Sequence, residues 1–201
     1  MQIKPAYAES HFDGGYVSAS NLGVAATIET QNPYIDSGGS SSAWVGNTTG
    51  DSAYKYTQGW YKDDPMTSPA YFYEWSNSLT DWSGVKYIGP AANGSNNDFE
   101  VTWDSTGAYF SINNISYGSV LRSQLTWSPA QVQVTGETKW STDESPGSTS
   151  NHVSMGKTFY KDTSGNWISS PIFYVLYTNL TTQKNTIGSG ASSWDIWDSR
   201  Y

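Results

Sequence analysis

The chain contains no cysteine and only two histidines, His11 and His152. Disulfide bonds are therefore excluded, and the thiol and imidazole groups that zinc centres and serine–histidine triads require are almost missing. The Asp/Asn/Gly-rich turns lack the regular ligand spacing of a calcium loop. No apolar run approaches the roughly 20 residues that a membrane-spanning helix needs. We therefore predict no metal, no cofactor and no membrane span.

Basic residues are also scarce. Lys and Arg number 10 against 18 Asp and Glu, which leaves a formal net charge of −8. Nucleic acids and anionic membranes are bound through basic patches, so neither is predicted as a partner. An acidic balance suits an extracellular or acidic environment, and we predict a secreted protein. Residues 1–10 lack the apolar core of a signal peptide, which leaves open whether a leader was removed.

The composition disfavours helices. Gly, Ser, Thr and Asn are abundant and Leu, Lys and Glu are few, while aromatic residues make up 15% of the chain. Short alternating runs separated by turn signals recur instead of a 3.6-residue period. They predict strands near 14–30 (interrupted at 21–23), 42–47, 53–62, 70–76, 98–104, 107–113, 130–138, 152–161, 171–177 and 194–197, with hairpin turns at 104–107 and 162–166. We predict one domain over 1–201, a two-sheet antiparallel β-sandwich of jelly-roll type, with residues 1–13 as an irregular N-terminal extension.

A candidate site lies at the end of the alternating run 131–135. Because residues two apart in a strand share a face, Gln133 and Glu137 point one way and Val132 and Val134 the other. A Ser/Pro/Gly-rich loop follows. Scaffolds commonly present chemistry at strand ends and in the loops after them. The carboxylate of Glu137 is therefore a candidate functional group.

Two earlier strands carry an amide, a second carboxylate and several aromatic rings. Alternation places Tyr56, Gln58 and Trp60 on one face of the first strand, and Phe72 and Glu74 on one face of the second. The strand register and any β-bulge decide whether these faces coincide. We predict that the amide and both carboxylates meet on one concave sheet.

Four short segments, SAWVGN, QGW, YEW and GET followed by PGSTSNHVSMG, resemble the β-sandwich domains of glutamic peptidases, the eqolisin and neprosin families. The resemblance runs from about Gly14 to Trp167. It implies a concanavalin-like jelly roll and an acid-active endopeptidase that hydrolyses a polypeptide substrate without a cofactor.

The resemblance also implies a mechanism. Glu137 would act as general base on a water molecule and then as acid toward the leaving amine, while the Gln58 amide would donate hydrogen bonds to the developing oxyanion. Glu74 would line the cleft and hydrogen-bond the water or the substrate. The side chains implied to give the substrate apolar contact area are Trp44, Trp60, Phe72 and Trp140.

The chain departs from both families at one position. Their first catalytic residue stands two positions before a glycine, where this chain has Thr57, and Gln58 stands one position later. Either a bulge returns Gln58 to the concave face, or the first half of the dyad is missing and the domain is a non-catalytic relative. Other readings remain open: a glycosidase that uses Glu74 and Glu137, a glycan- or protein-binding module, and a structural subunit that assembles with itself.

Overall fold

The computed structural model describes residues 10–50, 55–77, 82–169, 174–176, 180–188 and 192–201. Within these ranges the regular structure consists of fifteen β-strands and one 3₁₀ turn, Arg122–Gln124. None of the described residues belongs to a helix that is long and apolar enough to cross a membrane. The prediction of an all-β fold is confirmed.

The strands form two antiparallel sheets. Sheet A contains β1 (His11–Ser18), β3 (Ser40–Thr48), β4 (Lys55–Asp63), β5 (Ala70–Ser76), β6 (Trp82–Pro90), β10 (Gln131–Thr138) and β13 (Tyr174–Leu176). Their order across the sheet is β13-β1-β10-β3-β4-β5-β6. The connections repeatedly leave the sheet and return, as in a jelly roll.

Sheet B packs against sheet A. It contains β2 (Gly23–Glu29), β7 (Asn96–Trp103), β8 (Gly107–Ile112), β9 (Ile115–Leu121), β11 (Val153–Lys161), β12 (Trp167–Ser169), β14 (Gln183–Asn185) and β15 (Trp194–Asp198). The order is β14-β15-β11-β2-β7-β8-β9, and β12 pairs with β11. Two sheets stacked in this way are the predicted sandwich.

The core fills the space between the two inner faces. Alternate residues of each strand point inward, so large apolar and aromatic side chains from both sheets meet there. The rings of Tyr73 from sheet A and Phe110 from sheet B stack with centroids 4.5 Å apart. The indole N–H of Trp60 donates a 2.9 Å hydrogen bond to the carbonyl of Glu29 on the opposite sheet. Each large apolar side chain buried here contributes about 1.5–3 kcal/mol.

Both predicted hairpin turns are present. The N–H of Asp104 donates a 2.9 Å hydrogen bond to the carbonyl of Gly107. The N–H of Asp162 donates one of the same length to the carbonyl of Asn166. The sequence prediction missed β6, β9, β12 and β14. β6 and β9 lie at the ends of their sheets and carry internal glycine, so they show little hydrophobic alternation.

The predicted N-terminal extension is partly wrong. Residues 11–13 belong to β1, because His11 pairs with Thr138 on β10. Residues 1–9 lie outside the described ranges. Of the strand predicted over 171–177, the structure describes only Tyr174–Leu176, and these residues are a strand.

Candidate functional site

The candidate site is the outer face of sheet A, which we define as the face turned away from sheet B. Cross-strand pairing arranges its side chains in rows, because directly paired residues point to the same side. One row contains Tyr174, Tyr16, Gln133, Gly46, Thr57, Glu74 and Val85. The next contains Thr135, Trp44, Gly59, Phe72 and Tyr87, and a third contains Phe12, Glu137, Ser42 and Tyr61.

Gln58 does not belong to this face. It pairs with Val45 and Tyr73, both part of the core, and its side chain is fully buried between the sheets. Neither the nitrogen nor the oxygen of its amide has a hydrogen-bond partner. The prediction that Gln58 and Glu137 converge on one face is therefore wrong.

Thr57 occupies the outer face at this point of β4. The pairing of β4 with β3 and β5 is regular from Lys55 to Tyr61, so no bulge turns Gln58 outward. The Thr57 hydroxyl is fully buried and donates a 3.1 Å hydrogen bond to Oε1 of Glu74. Of the two alternatives that the sequence left open, the bulge is wrong, and a threonine stands where the amide was expected.

Glu137 lies on the outer face, as predicted. It is half-buried, and its Oε2 atom accepts a 3.0 Å hydrogen bond from the indole N–H of Trp44. The ring of Phe12 packs edge-on against Trp44, with centroids 6.4 Å apart. The structure thus brings Trp44 and Glu137 together, and this contact orients the carboxylate.

The register separates Glu137 from Thr57. Glu137 pairs with Ser42 and Thr57 pairs with Gly46, four residues further along β3. Four residues of strand span about 13 Å and two strand spacings add about 10 Å sideways, so the two backbones are about 16 Å apart. Side chains at that separation cannot hold one water molecule between them.

The two carboxylates of the face are further apart still. Glu74 lies one strand beyond Thr57, in the same row. A glycosidase needs its two carboxyl groups within about 5–9.5 Å of one another. The sheet register places Glu74 and Glu137 well beyond that spacing. The two residues therefore cannot form the acid–base pair that the glycosidase hypothesis requires.

The remaining predicted contact residues divide. Phe72 lies on the outer face, with its ring edge-on to Tyr61 at 5.9 Å. Trp60 belongs to the core, so its predicted place in the cleft is wrong. It lies two residues from Gln58 on β4 and therefore points to the same inner face of the sheet. Trp140 follows the end of β10, where the ammonium of Lys139 lies 4.8 Å from its ring centroid.

Several tyrosines of the outer face were not predicted as site residues. Tyr87 and Tyr174 are more than half exposed, at 58% and 56%. Tyr61 packs beside Tyr87 with centroids 5.9 Å apart, and Tyr16 packs beside Tyr174 at 5.7 Å. Burial is the largest cause that raises the pKa of Tyr61 and of Tyr87, so both phenols stay protonated at neutral pH. The sequence signal for Tyr61 was the alternation along β4, because Thr57, Gly59 and Tyr61 stand two residues apart and share the outer face.

Metal ligands do not cluster in the described part of the chain, where no group of three His, Asp or Glu side chains could hold an ion. The outer face of sheet A therefore presents aromatic rings, a hydroxyl bound to one carboxylate and an indole bound to the other. This arrangement supplies contact area and hydrogen-bond acceptors.

No protein-family model matches the sequence, and no curated protein matches it. Solved structures do match. Scytalidoglutamic peptidase with a peptide-based transition-state analogue superposes with a TM-score of 0.71 at 15% identity, covering 94% of this chain and 98% of that chain. SCP-B, a member of the eqolisin family of peptidases in complex with the tripeptide Ala-Ile-His, superposes with a TM-score of 0.67 at 15% identity and the same coverage.

The fold is that of the glutamic peptidases. The glutamic-peptidase-like β-sandwich expected from the sequence is therefore confirmed as a fold, and the resemblance to the neprosin domain stays a prediction. At these identities the likeness extends to the fold and no further, so the chemistry of the glutamic-peptidase scaffold in this chain has to be argued from its own residues.

Proposed function

We propose that the outer face of sheet A binds an extended polypeptide without hydrolysing it. The observation that carries this proposal is the burial of Gln58 in the core, with Thr57 on the outer face in its place. The domain would be a binding relative on the glutamic-peptidase scaffold.

Peptide hydrolysis by an activated water needs two groups around one point. A carboxylate must reach the water, and a hydrogen-bond donor must reach the oxyanion that forms, each at about 2.6–3.2 Å. The Thr57 hydroxyl donates its hydrogen bond to Glu74, and Glu137 lies four residues and two strands away. The expected amide donor, Gln58, therefore does not stand beside Glu137.

The composition of the face supports a polypeptide ligand. Aromatic side chains contribute large contact areas at little entropic cost, and Tyr87 and Tyr174 are exposed at opposite ends of two neighbouring rows. Glu137 keeps Oε1 as an acceptor for a backbone N–H while Trp44 holds Oε2. The solved peptidases with this fold carry a peptide-based transition-state analogue and a tripeptide, which favours the same ligand class here.

An extracellular location belongs to this proposal. The net charge of −8 keeps the domain soluble and disfavours anionic partners, as expected for a secreted binding domain. The alternative ligands for this face are a glycan and a second copy of the chain.

The test measures binding and cleavage together. Fluorescein-labelled ribonuclease A, unfolded by reduction and carboxamidomethylation, is titrated with the protein at pH 4 and pH 7 in 0.15 M NaCl, and anisotropy reports binding while mass spectrometry reports new termini after a day. We expect saturable binding and no cleavage at either pH. Tyr87→Ala and Tyr174→Ala should each weaken binding about 3- to 10-fold, as for aromatic residues in a binding surface.

Tyr117→Ala is the matched control, because Tyr117 is 43% exposed but lies on β9 of sheet B. It should bind the unfolded ribonuclease like the wild type. Cleavage at pH 4 that Glu137→Gln abolishes would overturn the non-hydrolytic part of the proposal. Absence of binding to the unfolded ribonuclease, or dimerisation through this face in analytical ultracentrifugation, would overturn the polypeptide ligand.

A further inference from the structure

A second groove lies on the opposite side of the molecule, on the outer face of sheet B. We call it the sheet B groove and define it by its floor, Ala25 and Thr27, and by the side chains on β7, β11 and β12 that flank this floor. Its volume is about 360 Å³. Small-molecule sites span about 300–1,000 Å³, so the sheet B groove has room for a ligand of modest size.

The strand register builds the groove. Ala25 on β2 pairs with Phe159 on one side and with Glu100 on the other, so an aromatic ring and a carboxylate flank a methyl group. Thr27, two residues further along β2, pairs with Asp98. Small side chains on β2 between longer ones on both neighbours leave a trough along the strand.

One wall of the trough is acidic. Asp98 and Glu100 stand two residues apart on β7 and face the same side. Asp98 Oδ1 accepts a 2.5 Å hydrogen bond from the Thr27 hydroxyl. Burial raises the pKa of Glu100, against the opposing effect of the Lys161 charge. The Glu100 side chain is half-buried in this wall.

The other wall is aromatic and basic. Phe159 and Trp167 line it, and Trp167 is 39% exposed. The register of β11 shifts between Gly156 and Phe159, where Lys157 adopts a left-handed conformation with φ of 47°. This conformation is strained for a lysine, and a bulge of this kind redirects a side chain. Here it places Lys157 at the groove.

The two walls carry opposite charge. Among the described residues no ion pair joins Asp98 or Glu100 to Lys157 or Lys161. The ammonium of Lys161 lies 5.8 Å from the ring centroid of Trp167 instead. Acceptors on one side and donors on the other therefore face each other across a floor of methyl groups.

We propose that the sheet B groove binds a sugar ring of a neutral glycan. The lysines would repel a cation, and the carboxylates would repel an anion. The hydroxyl groups of a sugar ring can instead donate hydrogen bonds to Asp98 and Glu100 and accept one from Lys157 at the same time. Its apolar C–H face would lie on Trp167. The ligand class differs from that of sheet A, and the groove uses none of the residues proposed to bind polypeptide.

Isothermal titration calorimetry tests this site with five neutral hexasaccharides: cellohexaose, laminarihexaose, xylohexaose, mannohexaose and chitohexaose. Spermidine and hexagalacturonic acid are the cationic and anionic probes. We expect at least one neutral hexasaccharide to bind with a Kd below about 1 mM, and neither charged probe to bind as tightly. Trp167→Ala should weaken that binding about tenfold or more, and Glu100→Gln should weaken it as well.

Ala25→Leu is a second variant that fills the floor and should abolish glycan binding while the protein remains folded by circular dichroism. Trp140→Ala, beyond the end of β10 on sheet A, is the control and should bind glycan like the wild type. Binding by no neutral hexasaccharide, tighter binding of spermidine or hexagalacturonic acid, or unchanged binding by Trp167→Ala would each overturn the proposal. Binding of the unfolded ribonuclease by Trp167→Ala should equal that of the wild type, so the two proposals fail separately.

Discussion

The hydroxyl of Thr57 donates a 3.1 Å hydrogen bond to Glu74, while the next residue, Gln58, points through the opposite face of β4 into the core. This relationship decides which side-chain groups of β4 and β5 the outer face of sheet A presents. The outer face keeps the carboxylates and the aromatic rings, but the amide expected beside them is buried.

Replacement of Gln58 by methionine should leave the protein equally stable or stabilise it by about 1–2 kcal/mol, because a buried amide without partners carries a desolvation cost of about that size. Urea denaturation followed by tryptophan fluorescence measures the change. Gln133→Met is the contrasting variant. The Gln133 amide donates a hydrogen bond to Gln131 on the outer face, so its replacement should destabilise the protein. A marked loss on Gln58→Met would mean that the amide is satisfied in solution.

Replacement of Thr57 by valine should destabilise the protein by about 1–3 kcal/mol, because the nearly buried Glu74 carboxylate loses a donor that an isosteric methyl group cannot replace. A double-mutant cycle with Glu74→Gln should show a coupling above about 0.5 kcal/mol. Thr102→Val, on β7 of sheet B, should be nearly neutral. Additive effects of Thr57→Val and Glu74→Gln would contradict the contact.

Asp13 should make the protein less stable as the pH rises. Its carboxyl lies on the inner face of β1, and burial raises its pKa from 3.8 to about 6, although the Asn185 amide donates to it at 2.6 Å. Because the folded pKa exceeds the unfolded one, the full stability is present below about pH 4. About 3 kcal/mol is lost as the pH rises to 6 and above.

Asp13→Asn tests this pH dependence. The free energy of unfolding, measured from pH 4 to pH 8, should fall less steeply for the variant than for the wild type, and the variant should be the more stable protein at pH 7. Asp64→Asn is the control, because Asp64 is exposed. An identical pH profile for wild type and Asp13→Asn would show that Asp13 does not titrate in this window.

Replacement of Gly59 by alanine should be strongly destabilising, by about 3 kcal/mol or more, through backbone displacement at a closely packed site. A Cβ atom there would lie 2.0 Å from the carbonyl oxygen of Ala43 on β3. Gly89→Ala on β6 is the matched control, because its Cβ would meet no atom within 4 Å. In thermal unfolding, Gly59→Ala should have a lower melting temperature than Gly89→Ala. Equal melting temperatures would contradict the close approach of β3 to Gly59.

The fold followed from local features of the chain. Turn chemistry at Asp104 and Asp162 and the alternation in β10 predicted strands that are present. Edge strands were missed, since β9 pairs on one side only and carries mostly exposed residues. Alternation is a weak guide where neither face is buried.

The site was predicted less completely. Trp44, Phe72, Glu74 and Glu137 lie on one face, as expected, but Gln58 and Trp60 lie on the other. Sequence periodicity assigned Gln58 and Trp60 to a common face correctly. It could not show that this face is the one that sheet B covers, because that depends on partners far away in the chain.

The sequence by itself determined the class of this protein and the alternation of its inner strands such as β4 and β10, since both arise from neighbouring residues and from turns of a few residues. Only the tertiary structure decided which side of β4 became core and how far Glu137 stands from Thr57. The physical reason is that strand period is a local property of the backbone, whereas sidedness and register arise from the packing of two sheets whose strands are distant in sequence.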